Sequence, residues 1–529
     1  MTPSSQPIIF ITTDTQGREM VSAYGPAHWH RTSGDQLIDK SFESDNGTLN
    51  LPQTPNIDKL ASRGTLFRNC ITTAPLCTPA RSTWYTGLPP NRNGSVCNDT
   101  SPSRNIPMLG ELLQRAGYNT CHVGKWHLDG SGYAGSGHGH GGFSDKNWYD
   151  LQNFYREAGS SDSNRFSGWM LGLEDINYCF AHRVVNRAID ILQNRDEKNP
   201  LFLAVELDEP HGPYICPPEF QGRYEQELLP RPNSFLKPPV NKPQLQHEYS
   251  SWLARSRQSA GLGKSEEYPT YYHKYYDCNS YADYEIGRLI TAINEYCPEA
   301  LIIYTSDHGD HLGAFGLCAK GPTMYDHTVA VPLIISSPGL TANVQNNSLV
   351  SSIDVWATIM DAANLSVPVG KNKAGSKENE DFPRAAGYTG SSLLPLLRGE
   401  KDESHHRQEA FIEYNRFGRQ GDRTNGFYPI RCIRTVEWKL SINLFDTDEL
   451  YDLHADPGEE ENLIDAEGHA SVRNELHDTL LAHLKETNDI FYSPAWEQRS
   501  WRNKKPTPFQ GYFTTGYNET WPSGSFSKW

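Results

Sequence analysis

Short apolar runs alternating with segments of helical spacing constrain the fold of this chain more than any other feature. Ile8 to Thr13 has the length and composition of a buried strand and ends at Asp14. Thr54-Pro55 then opens a short helix that stops near Gly64. Met108 to Ala116 spaces its apolar residues as a helix and ends at Gly117, after which Tyr118 to Gly124 reads as a strand. Phe180 to Arg195 is a helix, Leu201 to Leu207 a strand, Tyr281 to Tyr296 a helix and Leu301 to Thr305 a strand. Strands apolar on both faces and separated by helices predict an α/β fold, with a large, mainly parallel sheet sandwiched by helices. Ligands gather beyond the carboxyl ends of such strands, so Asp14, Asp307 and His308 become candidates by position alone.

After Gly399 the character changes. Ala410 to Tyr414, Ile430 to Thr435 and Lys439 to Leu444 are short strands followed by one helix, Val472 to Thr487. This predicts a smaller C-terminal α+β subdomain over 400–529, behind a catalytic domain over 1–399. Pro368 to Asn379 turns to Gly, Lys, Asn and Glu and reads as a surface loop. The aromatic- and Gly-rich C-terminal tail is expected to clamp over the large domain, a sugar-stacking lid being the alternative.

A formal charge of −16 argues against nucleic acid or an anionic membrane as partner, so any anion site must be local. No stretch is long and apolar enough to span a bilayer. Met1 to Pro7 lacks the charged and apolar regions of a signal peptide, which predicts a cytoplasmic protein unless a leader has been removed. Ten cysteines without a CxxC pair fit reduced thiols.

The chemistry concentrates in a few segments. In Leu76-Cys77-Thr78-Pro79-Ala80-Arg81, Pro79 suits the first position of a helix, and Arg81 lies one turn beyond Cys77. The guanidinium is thus expected to reach an oxyanion held at the helix N-terminus. Lys125 and His127, two apart in Gly124-Lys125-Trp126-His127, should share one face of a strand end while Trp126 takes the other. His211, between Pro210 and Pro213, should be aimed by an extended backbone. Ser306-Asp307-His308-Gly309 joins with Asp14 as half of a metal site, where oxygen-rich ligation favours Ca²⁺ and then Mg²⁺.

These segments resemble the motifs of the type I, formylglycine-dependent sulfatases of the alkaline phosphatase-like superfamily. The CxPxR run with Thr86-Gly87 matches their maturation signature. Gly124 to His127 matches GKWH, Pro210 to Tyr214 matches PHxPY, and Ser306 to Gly309 matches SDHG, with Lys320 following. Glu449 to Leu453 and Asp456-Pro457 to Asn462-Leu463 match the C-terminal subdomain. Where the family commonly has two adjacent aspartates, this chain has Asp14-Thr15-Gln16. Either Thr15 or Gln16 then supplies a neutral ligand, or the site has one carboxylate fewer.

The resemblance implies that a generating enzyme oxidises Cys77 to formylglycine, whose hydrate attacks sulfur. Asp14, Thr15, Asp307 and His308 would hold the metal. Arg81 would share the developing charge, Lys125 and Lys320 clamp the sulfate oxygens, His211 protonate the leaving alcohol and His127 deprotonate the remaining hydroxyl. The expected substrate is a small organic sulfate, with a sulfated saccharide first. His138 and His140 in the Gly135–Gly142 loop, Trp148 and Arg416 are the candidates for sugar contact. A phosphonate monoester or phosphodiester hydrolase is the rival enzyme, and a non-catalytic carbohydrate-binding protein the rival from another class.

Overall fold

The computed structural model describes residues 6–25, 51–159, 171–224, 229, 231–259, 272–366, 388–403, 406–418 and 426–503. Its larger sheet contains β1 (Ile8–Thr13), β2 (Thr65–Ile71), β3 (Asn119–Gly124), β4 (Trp148–Tyr149), β5 (Leu201–Glu206), β6 (Leu301–Ser306), β7 (Leu333–Ser336) and β8 (Val344–Ser351), in the order β4-β3-β5-β1-β6-β7-β2-β8. Only β7 runs antiparallel to its neighbours, β6 and β2.

The central strands read as unbroken apolar runs because both faces of the sheet are covered. Alternate side chains enter different cores. Ile9, Ile11, Leu203, Val205 and Tyr304 pack under the helices Phe180–Gln193 and Tyr272–Tyr296. Ile8, Phe10, Phe202, Ala204 and Ile303 pack under Cys77–Thr86, Leu109–Arg115 and Ile353–Ala362. Parallel register then brings the ends of β1, β5 and β6 level: Thr12 pairs with Glu206 on one side, and Thr13 with Ser306 on the other. The residues at and just past these three ends therefore meet at one edge of the sheet.

The smaller sheet is antiparallel, ordered β12-β11-β10-β9, from β9 (Ala410–Tyr414), β10 (Ile430–Arg434), β11 (Trp438–Asn443) and β12 (Glu449–Asp452). The helix Ala470–Glu486 packs on it through Leu476, Leu480 and Leu484. The described part of the tail, up to residue 503, packs on the small sheet. Trp496 is buried against this small sheet, and Arg499 pairs with Asp448 at 2.7 Å. Residues 504–529 and the expected loop over 368–379 lie outside the described residues. Among the described residues, no helix is long and apolar enough to cross a membrane.

His477 ties the tail to that helix in a way that makes this region sensitive to acid. Its Nε2–H donates to the Trp496 carbonyl at 2.9 Å, while Nδ1 accepts from Arg502 at 2.8 Å. Burial, with Arg502 and Arg499 nearby, pushes its pKa down to about 4. The folded state thus refuses a proton that the unfolded chain accepts near pH 6.5. Stability contributed by neutral His477 is complete above that pH and is lost as pH falls towards 4, by at most about 3 kcal/mol at ~1.4 kcal/mol per unit. Urea midpoints measured from pH 7 to 4.5 should fall less steeply for His477→Gln than for the wild type. Parallel curves would remove His477 as a cause.

Candidate active site

The helix bearing Cys77 starts with that residue itself, so Pro79 is its third position rather than its first. The first turn still tolerates it, because an amide there has no partner within the helix. The amide of Thr78 donates instead to Asn98 Oδ1 at 3.1 Å. Long side chains on a helix point back towards its N-terminus, which carries the Arg81 guanidinium under Cys77 to the ends of the central strands.

There it meets carboxylates rather than open space. Arg81 Nη2 lies 3.1 Å from Asp14, which follows β1, and Nε lies 3.0 Å from Asp307, which follows β6. Nη1 reaches Glu206 at the end of β5 at 2.5 Å and the Lys125 carbonyl at 3.1 Å. This corrects the expectation that Arg81 holds the substrate anion. Its donors are turned to the protein's own acids, which it gathers and neutralises.

Cys77 Sγ is 3.3 Å from His308 Nε2 and 3.8 Å from Asp14 Oδ1. Asp14, Cys77, Asp307 and His308 form a fully buried group whose ligand atoms all lie within 4.8 Å of one another. His308 Nδ1 faces the Gly309 carbonyl at 2.9 Å, which can only accept. Nδ1 therefore carries the hydrogen and Nε2 keeps a lone pair, as in a ligating histidine. Asp307 Oδ1 is braced by the amides of Thr15 at 3.0 Å and His308 at 2.8 Å.

Of the two neutral candidates, Thr15 stands at the cluster, its hydroxyl donating to Asp14 Oδ1 at 2.6 Å. Gln16 turns inward, bonded to Asn279 at 2.6 Å and to the hydroxyls of Thr13 and Tyr304. Two carboxylates and an imidazole lone pair fit a divalent cation.

The remaining cations and bases surround the thiol. Lys125 Nζ sits 2.7 Å from Asp14 and 2.9 Å from Asp208, and Trp126 points into the core as expected. The reason differs from the expected strand alternation. β3 ends at Gly124, and His127 adopts φ 59°. Gly124 is required at that end, since a Cβ would lie 1.9 Å from the Glu206 carbonyl. Gly309 likewise serves close approach rather than a sharp turn, because a Cβ there would lie 2.1 Å from the His327 carbonyl.

His211 sits in tight turns with cis bonds at Glu209-Pro210 and Gly212-Pro213, not in extended backbone. It is nonetheless aimed. Nδ1 donates to the Gly212 carbonyl at 2.6 Å, and Nε2 accepts from Lys320 Nζ at 2.8 Å. Burial and Asp14 push the Cys77 thiol up, but Lys320 and Lys125 lead the charges that outweigh them and hold it well below the usual range. Burial would also raise Asp14, which Lys125, Lys320 and Arg81 keep ionised.

The chain matches the sulfatase family over residues 6–365 and the N-sulphoglucosamine sulphohydrolase C-terminal region over residues 313–486. It belongs to the sulfatase family. As a sulfatase it is a sulfuric ester hydrolase, built on the alkaline phosphatase-like fold. It is 33% identical over 515 residues to the uncharacterised sulfatase YidJ of Escherichia coli, covering 96% of this chain and 92% of that protein. The N-acetylglucosamine-6-O-sulfatase of Bacteroides thetaiotaomicron is 25% identical, covering 91% of this chain and 87% of that protein. In fold the sulfatase is similar to a solved protein in complex with its substrate D-glucosamine-2-N,6-O-disulfate, at TM-score 0.67 and 22% identity, covering 94% of this chain and all of that one.

Of the expected sugar-contact residues of the sulfatase, Trp148, His138 and His140 make their contacts elsewhere. Trp148 is core: it lies in the edge strand β4 and stacks on His122 at 4.5 Å between ring centroids. His138 is exposed, 3.6 Å from Asp145. His140 packs against Trp126, with centroids 5.8 Å apart. Their loop is bound by carboxylates, Asp129 taking the Ser136 amide at 2.8 Å and Asp150 the Gly137 amide at 2.9 Å. Arg416 is half-buried just after β9, and its Nε has no hydrogen-bond partner among the described residues.

Several residues that sequence reasoning missed do contribute. Glu206 and Asp208 carry no signal beyond their place at a strand end. Tyr133 donates to Asp208 at 2.5 Å, and its ring lies 4.0 Å from Lys125 Nζ. Asp99 pairs with His127 at 2.8 Å.

A lysine cannot fork between three acids. Arg81→Lys should therefore leave buried carboxylates uncompensated and cost about 3–5 kcal/mol, read as a lower urea midpoint with native far-UV circular dichroism in the absence of denaturant. A midpoint equal to the wild type would contradict this account of the cluster.

Proposed function

We propose that this sulfatase hydrolyses a sulfate monoester of a saccharide, with residue 77 in its formylglycine form. The observation that carries the reading is the placement of Cys77 at a helix start, buried against His308 and Asp14 and ringed by Lys125, Lys320, His127 and Arg81. A formylglycine hydrate supplies what a thiol or a serine hydroxyl lacks, a second hydroxyl whose deprotonation expels sulfate and restores the aldehyde.

Asp14, Thr15, Asp307 and His308 would hold Ca²⁺, or Mg²⁺ in its place, and the cation would supply positive charge against the sulfate oxygens. Lys125 and Lys320 face the same space and hold those oxygens. Lys320 passes a proton to His211 Nε2 across the 2.8 Å contact, the leaving oxygen takes that proton from Nε2, and Lys320 regains one from solvent. On the far side, His127 takes the proton of the hydroxyl that residue 77 retains. That electron pair forms the carbonyl as the carbon–oxygen bond to sulfate breaks, and water then rehydrates the aldehyde.

A saccharide is favoured by the similarity to a sulfatase of N-acetylglucosamine. Arg416, with its unpartnered Nε, offers it a contact from the C-terminal subdomain, which we take to begin near residue 400.

Protein produced alongside a formylglycine-generating enzyme should carry the aldehyde at residue 77 by peptide mass spectrometry and turn over sulfate esters in preference to aryl phosphonates. Protein made without that enzyme should hold a thiol and be nearly inert. Full activity with wholly unmodified Cys77, or a preference for phosphonate, would end the reading.

His211→Ala should lower kcat for sugar sulfates by about 10²- to 10⁴-fold, while activated phenyl sulfates, which need no proton, lose far less. Equal losses on both substrates would take the acid role from His211.

A further inference from the structure

Asp99 lies outside every motif named above, yet it makes the His127 ring one-sided. Its Oδ1 is 2.8 Å from His127 Nε2. A carboxylate can only accept, so Nε2 carries the hydrogen. His127 Nδ1 is left buried, with no hydrogen-bond partner among the described residues, and the ring's other polar neighbour is the Cys77 side chain.

The pair is fixed to the helix that bears Cys77. The Thr78 hydroxyl donates to the His127 carbonyl at 3.0 Å and accepts from the Asp99 amide at 3.2 Å. Both residues take left-handed backbone, φ 64° at Asp99 and φ 59° at His127, which a non-glycine residue keeps only when its surroundings dictate it. The edge of Tyr133, its centroid 5.3 Å from that of His127, closes the remaining side.

We infer that Asp99 is a positioning residue that locks His127 as the Nε2–H tautomer, so that Nδ1 is the atom that receives the proton from the hydroxyl of residue 77. The identity of that hydroxyl rests on the formylglycine reading; the tautomer does not. The expulsion of sulfate, rather than its transfer from the substrate, is then the step that depends on Asp99.

The test uses the full chain. With histidine nitrogens labelled and the His127 signals assigned by their loss in His127→Gln, long-range nitrogen–proton spectra of the wild type should show hydrogen on Nε2 and none on Nδ1. Hydrogen on Nδ1 overturns the inference without touching the formylglycine reading. In Asp99→Asn the amide NH₂ can donate to Nε2 and drive the hydrogen to Nδ1. For this variant kcat should fall about 100-fold or more, KM should not rise, and a stoichiometric burst of alcohol release should precede slow turnover. Asp99→Glu, which restores an acceptor, should recover part of the rate. Unchanged kcat in a folded Asp99→Asn, or loss of the burst together with kcat, would overturn the role. Full activity in wild type with unmodified Cys77 would sink the formylglycine reading and leave the tautomer measurement to decide this one.

Discussion

The fork of Arg81 between Asp14, Glu206 and Asp307 is the interaction on which the rest of the site depends. Each carboxylate stands at the end of a different strand, and these three strands are adjacent in the sheet. Parallel register delivers them to one edge whether or not anything is there to separate them. Stripped of water, acids this close would repel one another strongly, and at least one would be driven to protonate. A guanidinium answers this with planar donors in several directions, which the point charge of a lysine lacks. Burial works against its charge, yet Asp307, Glu206 and Asp14 hold Arg81 firmly protonated. Helix start, Cys77 and the sheet's carboxyl edge are thereby fixed relative to one another by a single side chain.

Much of this was legible in the sequence, for a physical reason. Strands buried on both faces must be apolar throughout, so β1, β5 and β6 announce themselves, and the residues just past them stand out. The edge half of the sheet was not read. β2 carries Arg68 and Asn69, and β8, the edge strand beside it, carries Asn346, Asn347 and Ser348; these break the apolar run because this end of the sheet is only partly covered. Trp148 shows the opposite failure. An aromatic beside a glycine-rich loop looks like a sugar platform, and only the packing of Trp126, Phe143 and His122 around it reveals core. Asp99 and Tyr133 were beyond sequence reasoning because their importance lies in contacts with residues far along the chain.

Part of the backbone strain among the described residues lies beside this cluster. Thr15, Asp99, His127 and Ala319 all adopt left-handed φ between 55° and 65° without being glycine. Each is held by side chains or main chain of the cluster: Thr15 by Asp14, Asp307 and the Tyr275 hydroxyl, Ala319 by Asp310 and His311. Such conformations cost on the order of 1–3 kcal/mol each and survive only when over-determined. The stability that offsets them comes from the sheet and its two cores, which hold Asp14, Glu206 and Asp307 at its strand ends.

Charge explains why the cluster suits an anion only once a cation has joined it. Asp14, Glu206, Asp208 and Asp307 place four carboxylates around Arg81, Lys125 and Lys320, three fixed cations. Asp310 is engaged separately, by the amides of Leu312 and Ala319. The protein alone thus presents a net negative interior, a poor host for a sulfate ester. A dication between Asp14, Asp307 and His308 would change the balance from −1 to +1 without moving a side chain. Lys125, which Asp14 and Asp208 now engage, would then be free to turn to the sulfate oxygens. On this view the acids do more than ligate: they keep Lys125 charged although burial works against it, so that the charge is in place before the substrate arrives.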